Sequence, residues 1–267
     1  MAARRLLAAG AVFLNGRRCR VASRTVQPGD TLQVSSDTPP AAAPPLIILY
    51  EDDTVIAVDK PAGMPSAPTR QAASGSAVDT LRTQLRARDR RPAALWVVHR
   101  LDAETSGVLV FARTRAAAAA LSQAFATQHV EKTYLARVAG TVAEDAGTID
   151  LPLRSEGRRT VVADDGKLAV TAWRVVHRSG ATTLLEVRPR TGRLHQIRAH
   201  LRAIGHPVVG DRRYGGPPGP RLLLHATRVR LPLPSASTVR EIVSPAPPGL
   251  DAAEFEACSL QGYRPAR

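Results

Sequence analysis

Aromatic side chains are scarce, 4% of 267 residues. The core must therefore be mostly aliphatic, and a platform that stacks successive bases of a single strand on aromatic rings is excluded. Cysteine is rarer still. Cys19 and Cys258 stand far apart and without CxxC spacing, which excludes a multi-bridge disulfide framework or a structural zinc site and suits a reducing compartment such as the cytoplasm. No stretch approaches the ~20 apolar residues of a membrane span, so no membrane partner is expected. The chain has no GxGxxG, no Walker-type phosphate loop and no GxSxG elbow, leaving nucleotide cofactors and serine-hydrolase chemistry without an evident site. His195 and His200 are five residues apart, not the four that align two imidazoles on one helix face. His99, His206 and His225 also lack ligand-like spacing, so neither a metal nor any other cofactor is expected.

Acidic residues are in deficit too. Lys and Arg number 37 against 23 Asp and Glu, a formal charge of +14. Such an excess favours a polyanionic partner, whose phosphates shed counterions on binding. The same arginines on a solvated surface would require no partner, so charge alone leaves nucleic-acid binding open. At this length one large domain and a small appendage are expected.

Residues 3–14 can form a short helix. Arg4-Arg5 before LLAAGAVFL imitates a signal peptide, and the first acidic residue is Asp30, as in organellar transit peptides. Yet Asn15-Gly16-Arg17-Arg18 follows where small residues would suit cleavage, and the segment is read as folded, with Asn15-Gly16 as a tight turn. The stretch DTPPAAAPP at 37–45 is too rich in proline for a helix or central strand and reads as a linker. Beyond it, LIILYEDDTVIAVDKP reads as two strands around Glu51-Asp52-Asp53. Ser76 with Asp79 resembles a capping box opening a helix through about Arg90. Strands at 96–98 and 108–111 flank the polar loop HRLDAETSG. A helix is expected from Arg115 to His129 and a strand over Thr133–Val138. A hairpin should pair 170–178 with 182–188, a helix should run from Arg193 to Ile204, and extended segments should follow at 222–231 and 239–243. Strands outnumber helices and follow one another directly, which indicates an α+β fold with a largely antiparallel mixed sheet and flanking helices.

Two clusters can carry chemistry. In HRLDAETSG, Asp102 lies beside Arg100 and near Glu104, Thr105 and Ser106, at a strand-to-loop junction that suits a nucleophilic carboxylate. The same residue types also cap turns without any catalytic role. In RPRTGRLHQIRAHLRAIGHPVVGD, a helix would project Leu194, His195 and Arg198 from related faces, and Arg198 could orient a buried carboxylate through bidentate hydrogen bonds. Arg193, Arg198 and Arg202 could equally form a solvated basic face or contact phosphate.

A family resemblance decides between these readings. VHRLDAETSGVLVFART (98–114) resembles the signature of the RluA-type pseudouridine synthases, in which the Asp of the HRLD run is the nucleophile. EKTYLARVAG (131–140) and TGRLHQIRAHLRAIGHPVVGDRRYG (191–215) resemble the second and third family motifs. DKPAGM (59–64) and LLLHA (222–226) match two further blocks in the expected order. The N-terminal segment, VFLNGRRC above all, resembles the back half of a small RNA-binding module named after a ribosomal small-subunit protein, with no counterpart of that module's first helix. After Met64 the chain reads PSAPTR where family members often carry His-Pro-Gly.

The resemblance implies a pseudouridine synthase fold with a reduced RNA-binding module at 1–36, the linker at 37–45, a catalytic domain at 46–250 and a tail at 251–267. It implies isomerisation of uridine to pseudouridine in structured RNA, ribosomal first and transfer RNA second, after flipping of the target base. Asp102 would be the nucleophile, Arg198 would pair with it, and Tyr134 would stack on the base and assist proton removal from the ring. Arg100 would fill the vacated space or hold the adjacent phosphate, and Ile197 would form an apolar wall beneath the base. Arg193, His195 and Lys60 complete the expected substrate-binding set, and a monomer is the default state. The alternatives are a catalytically idle RNA-binding or ribosome-assembly factor on the same fold, and a nucleoside hydrolase that would release free uracil.

Overall fold

The computed structural model describes residues 6–7, 11–19, 21–34, 44–68, 75–90, 92–157, 159–234, 236 and 238–251. Near the N-terminus, β1 (Val12–Leu14), β2 (Arg17–Arg18) and β3 (Leu32–Val34) form an antiparallel sheet in the order β2-β1-β3. Asn15 and Gly16 link β1 to β2 with φ of 50° and 72°, the left-handed backbone that Asn and Gly adopt at least cost. The Asn15 carboxamide oxygen also accepts from the Thr31 N–H at 2.8 Å. The helix expected over 3–14 is found at Leu6 and Leu7 among the described residues but is corrected at its end: Val12–Leu14 is extended, and Val12 and Leu14 are buried with Cys19. Residues 1–5 and 8–10 lie outside the described residues. So do most of the expected linker, 37–43, and all but residue 251 of the expected tail.

The remainder is an α+β fold. Its strands are β4 (Ile47–Glu51), β5 (Val55–Lys60), β6 (Trp96–Val97), β7 (Ser106–Ala112), β8 (Glu131–Ala139), β9 (Ala146–Asp150), β10 (Leu153–Glu156), β11 (Arg159–Val162), β12 (Val170–Ser179), β13 (Thr182–Pro189), β14 (Leu224–Pro232) and β15 (Val239–Val243). The main sheet runs β4-β5-β7-β14-β8-β13-β12-β9, with β6 joined to β7 and β15 to β14, while β10 and β11 form a separate hairpin. Among the described residues every strand pairing is antiparallel except β7 with β14. At that parallel junction Gly107 has φ of 109°, and a Cβ there would lie 2.2 Å from the Ala226 carbonyl oxygen. Only glycine lets the two backbones approach this closely.

Three helices cover the sheet. α1 (Ala77–Asp89) is capped by Ser76, whose Oγ accepts from the Asp79 N–H at 3.4 Å and donates to the Asp79 carboxylate at 2.8 Å. Arg90 ends it in a left-handed conformation. α2 (Arg115–Ala126) starts from a Thr114 cap. Strands β5 and β7 are nearly continuous apolar runs because helices cover both their faces. Ile56, Val58, Leu109 and Phe111 meet Leu81 and Leu85 of α1, while Val55, Ala57, Val108 and Val110 meet Ala117 and Leu121 of α2. Each fully buried leucine here contributes roughly 1.5–3 kcal/mol. The third helix, α3 (Gln196–Ala203), lays Ile197 and Leu201 on Ala136, Leu185 and Val187 of the far half of the sheet. It begins three residues later than the sequence suggests, because His195 adopts a left-handed conformation (φ 50°) just before it.

Candidate active site

The loop between β6 and β7 carries Asp102, and its neighbours are fixed on both sides. Before it, the Leu101 N–H donates to Ser66 Oγ at 3.0 Å, and Ser66 Oγ donates to the Leu101 carbonyl at 2.8 Å. After it, the Ala103 carbonyl accepts from the Gly63 N–H at 2.7 Å and from Lys60 Nζ at 3.1 Å. Asp102 itself closes the turn by accepting from the Thr105 N–H through its backbone carbonyl. The DKPAGMPS segment is thus a clamp on the carboxylate's loop. Lys60, expected to bind substrate, needs correction. Its ammonium is fully buried and also donates to the Pro61 and Met64 carbonyls at 2.8 Å each, so it has nothing left for a ligand. Burial pushes its pKa down to about 8, against the opposing pull of Asp102 and Asp59.

The start of α3 is held as firmly. Gln196 is buried, accepts from Thr191 Oγ1 and the Arg193 N–H, and donates to the Val170 carbonyl and Thr171 Oγ1, all within 2.7–3.0 Å. His200, one turn on, reaches Thr171 Oγ1 and the Leu151 carbonyl. With this face of the helix bound to β12, the next position turns Arg198 toward the Asp102 loop.

Arg198 is 1% exposed and faces three carboxylates. The tightest pair is with Asp211, bidentate at 2.7 Å from Nε and 2.7 Å from Nη2, both side chains buried. Asp211 is fixed in turn by the Arg213 and Tyr214 N–H groups at 3.1 Å. Asp102 Oδ2 lies 3.4 Å from Nη1, and half-exposed Glu104 lies 2.9 Å from Nη2. The expected meeting of Asp102 and Arg198 is therefore found, but Arg198's dominant partner is Asp211, a residue with no signal of its own beyond its place in the third motif block. Burial works against the Arg198 charge, yet Asp211 and the other carboxylates raise its pKa overall. Tyr214 completes the group: its ring lies 5.2 Å from the guanidinium carbon, and its hydroxyl bonds His195 Nδ1 at 3.1 Å.

These elements line a cavity of about 630 Å³. Asp102, Tyr134, Arg198, Arg100, Ile197, Arg193 and His195 all border it; Lys60 does not. Tyr134 projects from β8, and its hydroxyl pKa is raised by burial and by the Asp102 charge. Ile197 supplies an apolar surface. Arg193 already spends one N–H on the Leu168 carbonyl at 3.0 Å. Three further wall residues were not among those expected to form the site. Lys132, two residues before Tyr134 on the same strand face, has its pKa lowered by burial and forms no hydrogen bond or ion pair among the described residues. Arg190 stands exposed at the end of β13. His99 is engaged structurally: Nε2 accepts from the Val110 N–H at 2.9 Å and the ring stacks on Phe125 at 4.5 Å, while burial pushes its pKa down to about 3.

A carboxylate held in a cavity wall, an aromatic ring, an apolar floor and cations at the rim suit a flat, uncharged ring tethered to a phosphate backbone. Comparisons with known proteins agree. The family model described as RNA pseudouridylate synthase matches residues 54–203. The dual-specificity RNA pseudouridine synthase RluA of Vibrio vulnificus is 39% identical over 210 residues, 74% of this chain and 82% of that protein. The ribosomal large subunit pseudouridine synthase D of Xanthomonas campestris pv. campestris is 42% identical over 218 residues, 78% of this chain and 64% of that protein. Among solved structures, human RNA pseudouridylate synthase domain containing 1 superposes with a TM-score of 0.67 at 26% identity, covering 85% of this chain and 99% of that one.

Proposed function

The chain belongs to the RNA pseudouridylate synthase family and is an RNA pseudouridine synthase, and from that premise we propose that Asp102 is its nucleophile and the cavity beside it the uridine pocket. One observation carries the assignment: the Asp102 carboxylate stands in the cavity wall 3.4 Å from the buried Arg198 guanidinium, with Tyr134 lining the same space. The target uridine leaves its stack and enters the cavity. Asp102 forms a transient bond to the ribose or the uracil ring, and the N1–C1′ bond breaks. The base rotates in place between Tyr134 and Ile197, C5 bonds to C1′, the bond to Asp102 breaks and returns its electron pair to the carboxylate, and the C5 proton leaves while N1 gains one. Substrate and product are isomers, so neither a redox partner nor an energy carrier enters the balance. Arg198 aims the carboxylate. Arg100, Arg190 and Lys132 hold the flanking phosphates, and Arg193 adds its remaining donors.

Ribosomal RNA is the first substrate to test, since one relative is named for the large ribosomal subunit, with transfer RNA alongside. No helix among the described residues is long and apolar enough to cross a membrane, and the paucity of cysteine supports a cytoplasmic site of action. The test is incubation with uridine-labelled ribosomal and transfer RNA, followed by nucleoside chromatography. Wild type should yield pseudouridine, and Asp102→Asn should bind RNA as well as wild type yet yield none. Free uracil would assign a hydrolase instead, and an unchanged nucleoside profile a catalytically idle RNA-binding factor.

A further inference from the structure

His195 is expected from its position to touch substrate, but its own hydrogen bonds give it a different task. Its ring is half-buried between two partners. Nδ1 lies 3.1 Å from the Tyr214 hydroxyl, and Nε2 lies 3.8 Å from Asp102 Oδ2. The hydroxyl already accepts from the Thr160 N–H of β11 at 2.8 Å, so its own proton is free to point at an acceptor, and His195 Nδ1 is the one within hydrogen-bond geometry, the nearby Thr160 Oγ1 having no such bond. A neutral imidazole that accepts at Nδ1 must carry its proton on Nε2. The Asp102 end demands the same tautomer, since a bare Nε2 lone pair would face a carboxylate oxygen.

We propose that Tyr214 locks His195 as the Nε2–H tautomer, so that His195 and Arg198 together hold Oδ2 of Asp102 and leave Oδ1 to meet the nucleoside. Both contacts to the carboxylate fall on Oδ2, the guanidinium at 3.4 Å and the imidazole at 3.8 Å. Distances of this length are ordinary in a site without substrate, and on this reading they shorten when substrate excludes water. His195 is thus a positioning residue. The charges around its ring favour the neutral form on balance: burial, Arg198 and Arg213 lower its pKa, and the pull of Asp102 and Asp211 does not restore it. Protonation would also put a second donor opposite the Tyr214 O–H.

Thr160 lies on the β10–β11 hairpin, whose Arg154 is paired with Glu156 and Asp165, so the seating of that hairpin sets the donor that fixes the tautomer.

The inference rests on the assignment of Asp102 as nucleophile, and two measurements separate their failures. In the free enzyme, ¹⁵N spectra of the histidine rings near neutral pH should show His195 protonated at Nε2, with Tyr214→Phe releasing part of the population to Nδ1. Protonation at Nδ1 in wild type, or an unmoved spectrum in Tyr214→Phe, overturns the lock whatever the enzyme's activity. The second measurement is single-turnover rate on RNA with affinity measured in parallel. His195→Gln restores a donor at the Nε2 position, whereas His195→Asn reaches only the Nδ1 position. Asn nonetheless suits the left-handed backbone at 195 better. A positioning role therefore predicts Gln faster than Asn by about 10-fold or more at equal affinity. A merely structural role predicts Asn equal to or better than Gln, which would overturn the proposal. An Asp102→Asn enzyme that still forms pseudouridine would instead sink the nucleophile assignment.

Discussion

Replacing Asp211 by Asn tests whether Arg198 is a tool held by its neighbours. The two side chains are buried and joined by two bonds of 2.7 Å. At an effective dielectric of about 20 and a charge separation of about 4 Å, their attraction is on the order of 4 kcal/mol. Asn removes the charge and turns an NH2 group against one guanidinium N–H, so one of the two short bonds becomes a donor facing a donor. Asp102 and half-exposed Glu104 remain near the guanidinium and recover part of the loss. A net destabilisation of about 3 kcal/mol is expected, as when one member of a buried pair is removed. For a chain of this size that corresponds to a Tm lowered by about 6–12 °C. The freed guanidinium should also swing toward Asp102 and Glu104, misplacing the carboxylate it aims and slowing the single-turnover rate by roughly 100-fold. RNA affinity should hold, because Asp211 is buried and faces no phosphate. The assays are thermal denaturation followed by circular dichroism, and rapid-quench isomerisation of labelled RNA. A Tm within about 2 °C of wild type, together with an unchanged rate, would mean that Arg198 is held by Tyr214 and Glu104 instead, and the reasoning would fail.

Lys132, the wall cation without a partner among the described residues, should weaken RNA binding when changed to Met and lower the salt slope of log affinity by about one charge. A salt slope equal to wild type would remove it from the phosphate contacts. His99 should make stability depend on acid. Its folded pKa of about 3 lies below the ~6.5 of an unfolded histidine, so only the unfolded chain takes up a proton between those values. Stability is then full above about pH 6.5 and falls as pH drops through that window, by up to about 1.4 kcal/mol per pH unit for this ring. His200 and His225, also pushed down by burial, add in the same direction. In His99→Gln, whose Oε1 can still accept from the Val110 N–H, denaturant titrations at pH 7, 6 and 5 should show a slope shallower by about one proton. An identical slope would show that this ring titrates normally.

Much of the frame was legible because local physics and packing agree there. The Ser76 cap, the apolar stripe through Leu81 and Leu85, and the unbroken runs of β5 and β7 each follow from a periodicity or a cap that tertiary contacts reinforce. The chemistry of HRLD and HQIR was legible only through resemblance, since Asp, Thr, Ser and Gly mark an ordinary turn equally well. Strands β9 to β11 left no pattern, being short and lying in the polar stretches DAGTID (145–150) and LRSEGRRTVV (153–162) rather than in an apolar alternation. The first turn of α3 was misplaced because nothing in LHQIR announces a left-handed histidine. Asp211 was passed over because its partner, a guanidinium 13 residues away, is set by tertiary structure, and Lys60 was assigned to substrate because nothing in DKPAGM announces that its ammonium is buried and spent on the Pro61, Met64 and Ala103 carbonyls.

The pairing with Asp211 also explains how one arginine can steer the proposed nucleophile without quenching it. Had Arg198 met Asp102 through a short bidentate pair, the carboxylate lone pairs would be tied up in two charge-assisted bonds, and attack would require breaking them. The structure gives that geometry to Asp211, where charge cancels charge in a buried pair fixed by two backbone N–H groups. From Arg198, Asp102 receives a single long contact at 3.4 Å, enough to aim it and too weak to consume it. On the proposed assignment the cavity thus keeps a carboxylate able to attack, while Arg100, Arg190 and Lys132 in its wall would offset the repulsion between that carboxylate and the phosphates of an incoming RNA. A cationic rim around an anionic centre lets a polyanion be both bound and attacked.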